Sequence, residues 1–298
     1  MITRKVAVSV PGCIGNIGSG FDCMGLSVNL FNRFTFEVSD GFSISVSGPG
    51  IETSTKNLCF RSFKKACDML GVEIGGIKIK IVASIPPGVG LGSSGTAVLS
   101  GIVAAFILST HKIEPSTILK IGKDLEGHLD NLAASLLGGL VVVAEQAGEP
   151  VWKRFSISSR ISAVFFISNE PFPTREARSI LPRKVNLSDA VFNLSRACLL
   201  PFSFMEKDEK LLAVAIHDKL HQPYRKHLYP HFEILYKAAM DAGAAGCCIS
   251  GSGPSVVAFC FKSPDKILNS WLQTARQRKL NGTIKKIRLG GKTTWKVY

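Results

Sequence analysis

The chain has 298 residues, of which 46% are hydrophobic, 19% charged and 8% aromatic, so it can bury a sizeable core and is neither wholly disordered nor collagen-like. At about 150 residues per domain, that length suggests roughly two domains. Thirty-six Lys and Arg against 22 Asp and Glu give a net charge of +14, but the basic residues are scattered in small clusters without a nucleic-acid-binding signature, so acidic small molecules are the expected partners, not nucleic acid or a membrane.

The longest strongly apolar stretch, residues 97–108, contains Ser100 and Gly101 and falls short of the ~20 residues of a membrane span. Eight cysteines show no paired C-x-x-C spacing and residues 1–10 hold no long apolar region, from which a reduced, cytoplasmic protein is expected. His217 and His221 stand four apart as a metal pair would; without a third ligand they read as surface residues of a helix turn.

In chain order, periodicity predicts strands over 5–10, 30–38, 42–47, 76–83 and 140–145, with helices over 57–70, 94–109 and from 116 to about 137. Ile77, Ile79 and Ile81 alternate with Lys78 and Lys80, so one face of that strand is wet, which suits an antiparallel or mixed sheet. After Pro150 the order changes. Strands are expected over 163–168, 246–250, 255–261 and 283–289, with helices over 188–204, 207–220, 231–242 and, opened by Pro264, to about 278. That order is a split βαβ, ferredoxin-like arrangement with extra helices in the first crossover. The boundaries give an N-terminal half, 1–150, and a C-terminal half, 151–298.

Three loops carry the chemistry. Pro86-Pro87-Gly88-Val89-Gly90-Leu91-Gly92-Ser93-Ser94-Gly95-Thr96 lies between a strand and an apolar helix. Its glycines let the backbone approach a ligand, and the N–H groups of a helix N-terminus, with three hydroxyls, favour phosphate. Residues 90–95 spell G-x-G-x-x-G, yet two prolines precede them and Thr110-His111 stand where a Rossmann unit needs an acid. No Lys follows the glycines as a Walker loop requires. The second loop, 11–23, places Asn16 and Asp22 in a glycine-rich segment suited to a small polar substrate, and the third is Ile249-Ser250-Gly251-Ser252-Gly253-Pro254-Ser255. Either could be a plain turn. Glu126, Asp130 and Asn131 add a candidate ligand for a divalent cation and a group near a reacting hydroxyl.

In sequence these segments read P-x-x-x-x-N-x-G-x-G-F-D, P-P-G-V-G-L-G-S-S-G and I-S-G-S-G-P-S, and together they resemble the three signatures of the GHMP family of small-molecule kinases. Residues 126–131 with 137–139, 189–196 and 218–225 are similar to the homoserine kinase branch of that family. The resemblance covers essentially the whole chain. It implies an α+β, two-domain fold, with an N-terminal ATP-binding half like ribosomal protein S5 and a ferredoxin-like C-terminal half. It further implies ATP and Mg²⁺ as cofactors, phosphorylation of the side-chain hydroxyl of L-homoserine, and a possible homodimer.

Carried over by position, the resemblance has residues 86–96 wrap the ATP phosphates and Asn57 lie near the adenine. Glu126 and Ser93 would face the metal, and Asn16, Asp22, Asn131, Arg178 and Arg225 would hold the amino acid. Asp130, Asn131 and Thr174 would act at the transfer itself, with Thr174 near the γ-phosphate. Departures are Gly95 where the family usually has Ala, Leu129 where it often has Pro, and a shortened insertion between Glu126 and Asp130. Alternatives are another kinase of the family acting on an isoprenoid or sugar, and a non-catalytic nucleotide or metabolite sensor on the same fold.

Overall fold

Strand alternation builds the first sheet. In the computed structural model, which describes residues 4–48 and 50–298, β1 (Lys5–Gly15) pairs antiparallel with β2 (Met24–Val38), and the register shifts between Pro11 and Cys13. Pro11 has no N–H for the ladder, which suits it to such an irregular position. The other edge of β2 serves two neighbours: β5 (Leu140–Gln146) along its first residues and β4 (Ile77–Val82) along its last. β3 (Ser43–Ser47) runs parallel beside β4, β6 (Glu149–Phe155) folds back on β5, and β11 (Thr294–Val297) flanks β1. The sheet is therefore mixed, as the alternation on β4 suggested. The hairpin from β5 to β6 carries it past residue 150.

Ile77, Ile79 and Ile81 are buried in the core while Lys78 and Lys80 are exposed. That core is closed by α1 (Leu58–Leu70), α2 (Ser93–Leu108), α3 (Pro115–Glu126) and α4 (Asp130–Leu137). α2 is apolar on nearly all sides because it is buried among its neighbours. The single helix expected from 116 to 137 is in fact two. Gly127, at φ +85°, ends α3 in the left-handed region, which leaves Glu126 at the end of one helix and Asp130 at the start of the next.

The second sheet contains β7 (Ser162–Ser168), β8 (Gly246–Ile249), β9 (Val256–Cys260) and β10 (Gly282–Ile287) in the order β10-β7-β9-β8, all antiparallel. This is the strand order of the split βαβ arrangement. Its first crossover holds α5 (Thr174–Ser179), α6 (Leu187–Glu206), α7 (Glu209–Ala215), α8 (Gln222–Arg225), a 3₁₀ turn and α9 (His231–Asp241); its second holds α10 (Asp265–Arg278). A shared core joins the halves: Ile14, Leu26, Val89 and Leu91 from one pack with Phe165, Leu200, Phe204 and Phe259 from the other. Among the described residues, no helix is long and apolar enough to cross a membrane.

Candidate active site

The seam between the halves opens into a cleft of about 740 Å³. Phe34, Ile51, Leu58, Ile81 and Ala97 form its apolar part, and Asn16, Asp22, Asp130, Arg178 and Arg225 its polar part. The glycine loop runs beside both. Gly88, Gly90 and Gly92 hold φ of +71°, +78° and +70°, conformations that cost a side-chain-bearing residue energy. Space is also short there: a Cβ on Gly90 would lie 2.3 Å from Ser250 O, and one on Gly92 would lie 2.6 Å from Cys13 Sγ.

Neighbours on both sides hold this loop. Phe172 N–H donates to Gly88 O at 2.8 Å, Ser250 Oγ to Gly90 O at 2.7 Å and Cys13 N–H to Leu91 O at 3.1 Å. Val89 and Leu91 are buried in the shared core, each such side chain contributing about 1.5–3 kcal/mol. They anchor the loop from behind. Thr96, fully buried, donates to Ser93 O at 2.7 Å and accepts from Asn32 Nδ2 at 2.9 Å. Of the run expected to wrap the phosphates, Pro87, Gly88, Gly90, Gly92, Ser93 and Ser94 line the cleft, with Pro86 beside them and Val89, Leu91, Gly95 and Thr96 buried.

Asn32 escaped the sequence reading. Its Oδ1 accepts from the N–H groups of Ser84 and Ile85, both at 2.9 Å, fixing the start of the loop. The signal was present, because Asn32 lies in phase with the buried Phe34 and Phe36, and an amide on the inward face of a strand needs a polar task. Asn57 caps α1 by accepting from Cys59 N–H at 2.9 Å, and its Nδ2 donates to Glu52 O.

The acids come next. Ser94 Oγ, not that of Ser93, bonds Glu126, donating to Oε2 at 3.0 Å, while Ser93 Oγ donates to Ile85 O at 3.0 Å. Burial raises the Glu126 pKa, against the lowering effect of the Ser94 hydrogen bond. Asp130, buried, bonds His128 Nδ1 through Oδ1 at 2.8 Å. Burial opposes the charge on His128, but the Asp130 hydrogen bond and the surrounding carboxylates outweigh it and raise its pKa. Asn131 Oδ1 accepts from Cys13 Sγ at 3.1 Å, and burial pushes the Cys13 thiol up to about 12.

On the other wall, Arg178 on α5 makes two parallel bonds to Asp22, both 2.7 Å. Burial raises the Asp22 carboxyl, yet the hydrogen bonds and charge of Arg178 outweigh it and hold it below its ordinary value. Arg225 is buried; its Nε donates to Ala177 O at 3.1 Å and its Nη1 to Gly251 O at 3.3 Å. Both guanidinium groups lie over the Phe21 ring, at 5.7 and 5.5 Å from its centroid. Asn16 Nδ2 donates to Gly251 O at 2.9 Å while its Oδ1 accepts from Asp22 N–H at 3.0 Å. Thr174 Oγ1 lies 3.3 Å from Ser252 Oγ.

His221 requires a correction. It is fully buried, not a surface residue: its ring stacks on Phe21, and Nε2–H donates to Gly18 O at 2.8 Å, leaving Nδ1 to accept from Arg225 Nη1 at 3.2 Å. His221 instead pairs with the residue four places further on, Arg225, one turn along α8, whose N-cap is His221.

Residues 57–139 match the GHMP kinases N terminal domain and residues 203–277 the GHMP kinases C terminal domain. A homoserine kinase of Aquifex aeolicus (strain VF5) is 36% identical over 88% of this chain and 89% of its own length, and one from Prochlorococcus marinus (strain NATL1A) is 37% identical over 87% and 85%. The crystal structure of homoserine kinase from Cytophaga hutchinsonii superposes with a TM-score of 0.89 at 28% identity, covering 100% of this chain and 98% of that one. Mevalonate kinase of L. major shares the fold, with a TM-score of 0.73 at 14% identity over 95% of each chain. The chain belongs to the homoserine kinase family of the GHMP kinases.

Proposed function

We propose that the cleft transfers the γ-phosphoryl group of ATP to the side-chain hydroxyl of L-homoserine, giving O-phospho-L-homoserine and ADP. The observation that carries this reading is the wall formed by Asp22, Arg178 and Arg225, which sets a carboxylate beside two guanidinium groups in one cleft. An amino-acid zwitterion needs both signs: the positive charge of the arginines suits its carboxylate, and Asp22 suits its ammonium. Mevalonate and galactose lack an ammonium group.

Phosphoryl transfer asks mainly for alignment and charge neutralisation. The N–H groups of the glycine loop and of the α2 N-terminus supply donors for the phosphates, and the apolar part of the cleft suits the nucleoside. The substrate hydroxyl attacks the γ-phosphorus while the bond to the bridging oxygen of ADP breaks, and the hydroxyl proton is released on the side of Asp130. Asn131 and Thr174 orient the reacting groups there. Mg²⁺ takes few protein ligands beside nucleotide phosphates, and Glu126, at the end of α3 and bonded to Ser94 at the start of α2, fits that role. Ser93, whose proton is directed at Ile85 O, keeps lone pairs for the same ion. Bound there, Mg²⁺ supplies neutralising charge to the phosphates.

A coupled ADP-release assay tests the assignment across L-homoserine, L-threonine, mevalonate and galactose. L-homoserine should be turned over well above the others. Equal turnover of mevalonate would sink the assignment, and ADP release from none of the four would favour a sensor.

A further inference from the structure

His221, fully buried, is held in place by its own segment. Asp218 accepts from the N–H groups of Leu220, His221 and Gln222 at 2.9, 3.0 and 2.6 Å, and Pro223 sits in the first turn of α8. A carboxylate that satisfies the first N–H groups, followed by a proline in the first turn, starts a helix at a defined residue. His221 is thereby fixed as the N-cap, one turn before Arg225.

The partners of the ring decide where its proton lies. Gly18 O, 2.8 Å from Nε2, can only accept, so Nε2 carries the hydrogen; Arg225 Nη1, 3.2 Å from Nδ1, can only donate, so Nδ1 carries a lone pair. That is one tautomer of the neutral ring. Arg225 Nη1 directs its other hydrogen at Gly251 O, and Nε is bonded to Ala177 O. Nη2 makes no hydrogen bond among the described residues, so its donors are the ones that remain for a ligand in the cleft, which Arg225 lines.

We infer that neutral His221 is a positioning residue for the substrate: by accepting from Nη1 it fixes the Arg225 guanidinium with its Nη2 donors free for the substrate's carboxylate. The inference rests on the reading that Arg225 receives that carboxylate. A proton added at Nδ1 would set an N–H against an N–H and place a second positive charge beside Arg225, so the arrangement holds only while the ring is neutral. The charged groups facing the ring are Asp218, with Oδ2 3.6 Å from Nε2, Arg225, and Asp22 in the loop after β1. Arg178 on α5 lies 5.7 Å from the centroid of the Phe21 ring that stacks on His221. Cys248 on β8 is a neutral thiol, because burial raises its pKa. Burial, with the charge of Arg225, outweighs Asp218, the Gly18 bond and Asp22 and leaves the His221 pKa below its ordinary value. The acceptor is therefore in place at neutral pH, and acid removes it.

The test has a spectroscopic and a kinetic arm. Long-range proton–nitrogen correlation spectra of the native chain, with the His221 signals identified by their absence in His221→Asn, should show the Nε2–H tautomer at neutral pH; an Nδ1–H tautomer or a charged ring there would overturn the proposal. In steady-state kinetics His221→Leu, which removes the acceptor, should raise the KM for L-homoserine by about 10-fold, with kcat and the ATP KM within a few-fold. His221→Asn, whose amide oxygen accepts from Arg225 but takes up no proton, should bring that KM back to within a few-fold of native. As the pH falls from about 8 to about 5.5, kcat/KM of His221→Asn divided by that of the native chain should rise about 2-fold or more, because ionisations common to both cancel. A flat ratio would overturn the proposal. Arg225→Met separates it from the reading beneath it. If Arg225→Met raises the L-homoserine KM and His221→Leu does not, the positioning role fails and the carboxylate site stands; if Arg225→Met leaves that KM unchanged, the carboxylate site itself fails.

Discussion

The two recognition surfaces of the cleft are built by opposite means. The phosphate cradle is one continuous run whose function resides in backbone, with Gly88, Gly90 and Gly92 in the left-handed region, the Gly88 and Gly90 carbonyls tied to Phe172 and Ser250, and the Leu91 carbonyl between them and α2 tied to Cys13. The amino-acid pocket is side chain throughout, brought together from the loop after β1, from α4, α5 and α8. The loop after β1 also holds three non-glycine residues at positive φ, namely Asn16, Ile17 and Asp22. Each such conformation costs on the order of 1–3 kcal/mol and persists only where surrounding contacts impose it. Anion binding can thus be specified locally, whereas recognition of a zwitterion needs the tertiary fold.

If that division is right, damage to one surface should spare the other. The largest effect is expected for Gly92→Val. The new Cβ would meet Cys13 Sγ at 2.6 Å with φ at +70°, so the loop must shift, and kcat/KM for ATP should fall more than ~100-fold. A soluble and fully active variant would reduce the loop to a plain turn.

Arg225→Met and Arg178→Met come next. Losing a hydrogen bond to a charged group costs about 1.5–3 kcal/mol, so either variant should lower kcat/KM for homoserine by roughly 10- to 150-fold. The KM for ATP should stay within a few-fold. Arg225, buried and bonded to Ala177, Gly251 and His221, should also lose thermal stability, whereas Arg178 sits half-exposed and should lose little. A variant that raised only the ATP KM would assign that arginine to the nucleotide.

Gly95→Ala should have the smallest effect. Gly95 lies inside α2, and an added Cβ would find its nearest neighbours at 3.7 and 3.9 Å, ordinary contact distances. Helix propensity then favours alanine by roughly 0.5–1 kcal/mol. Differential scanning calorimetry should show a raised Tm with kinetics unchanged; a lowered Tm would mean that the helix start needs a bare backbone. The departure from the family's usual residue is thus sterically mild.

Much of this architecture was legible in the sequence, because buried residues recur at the period of their element. β4 announced its wet face through Lys78 and Lys80, and α1, α2 and α10 fall within a residue or two of the expected bounds. What stayed hidden was tertiary. Apolar spacing continues across Gly127, so nothing in periodicity marks the break that separates Glu126 from Asp130. β11 is short and largely exposed, and only its pairing with β1 makes it a strand. α5 and α8, of 6 and 4 residues, are too brief to show a period, yet they carry Arg178 and Arg225. The sequence offered the site residues by resemblance; it could not show that Arg178 already holds Asp22, or that His221 steadies Arg225 beneath Phe21.

The zwitterion pocket can be tested without changing the protein. Steady-state kinetics would compare L-homoserine with 4-hydroxybutanoate, which lacks the ammonium group, and with 3-aminopropan-1-ol, which lacks the carboxylate, all three presenting the same primary hydroxyl. The wall of Asp22, Arg178 and Arg225 predicts that removing either pole lowers kcat/KM by about 10-fold or more, with the ATP KM held within a few-fold. Turnover of either analogue with the same kcat/KM as L-homoserine would contradict it.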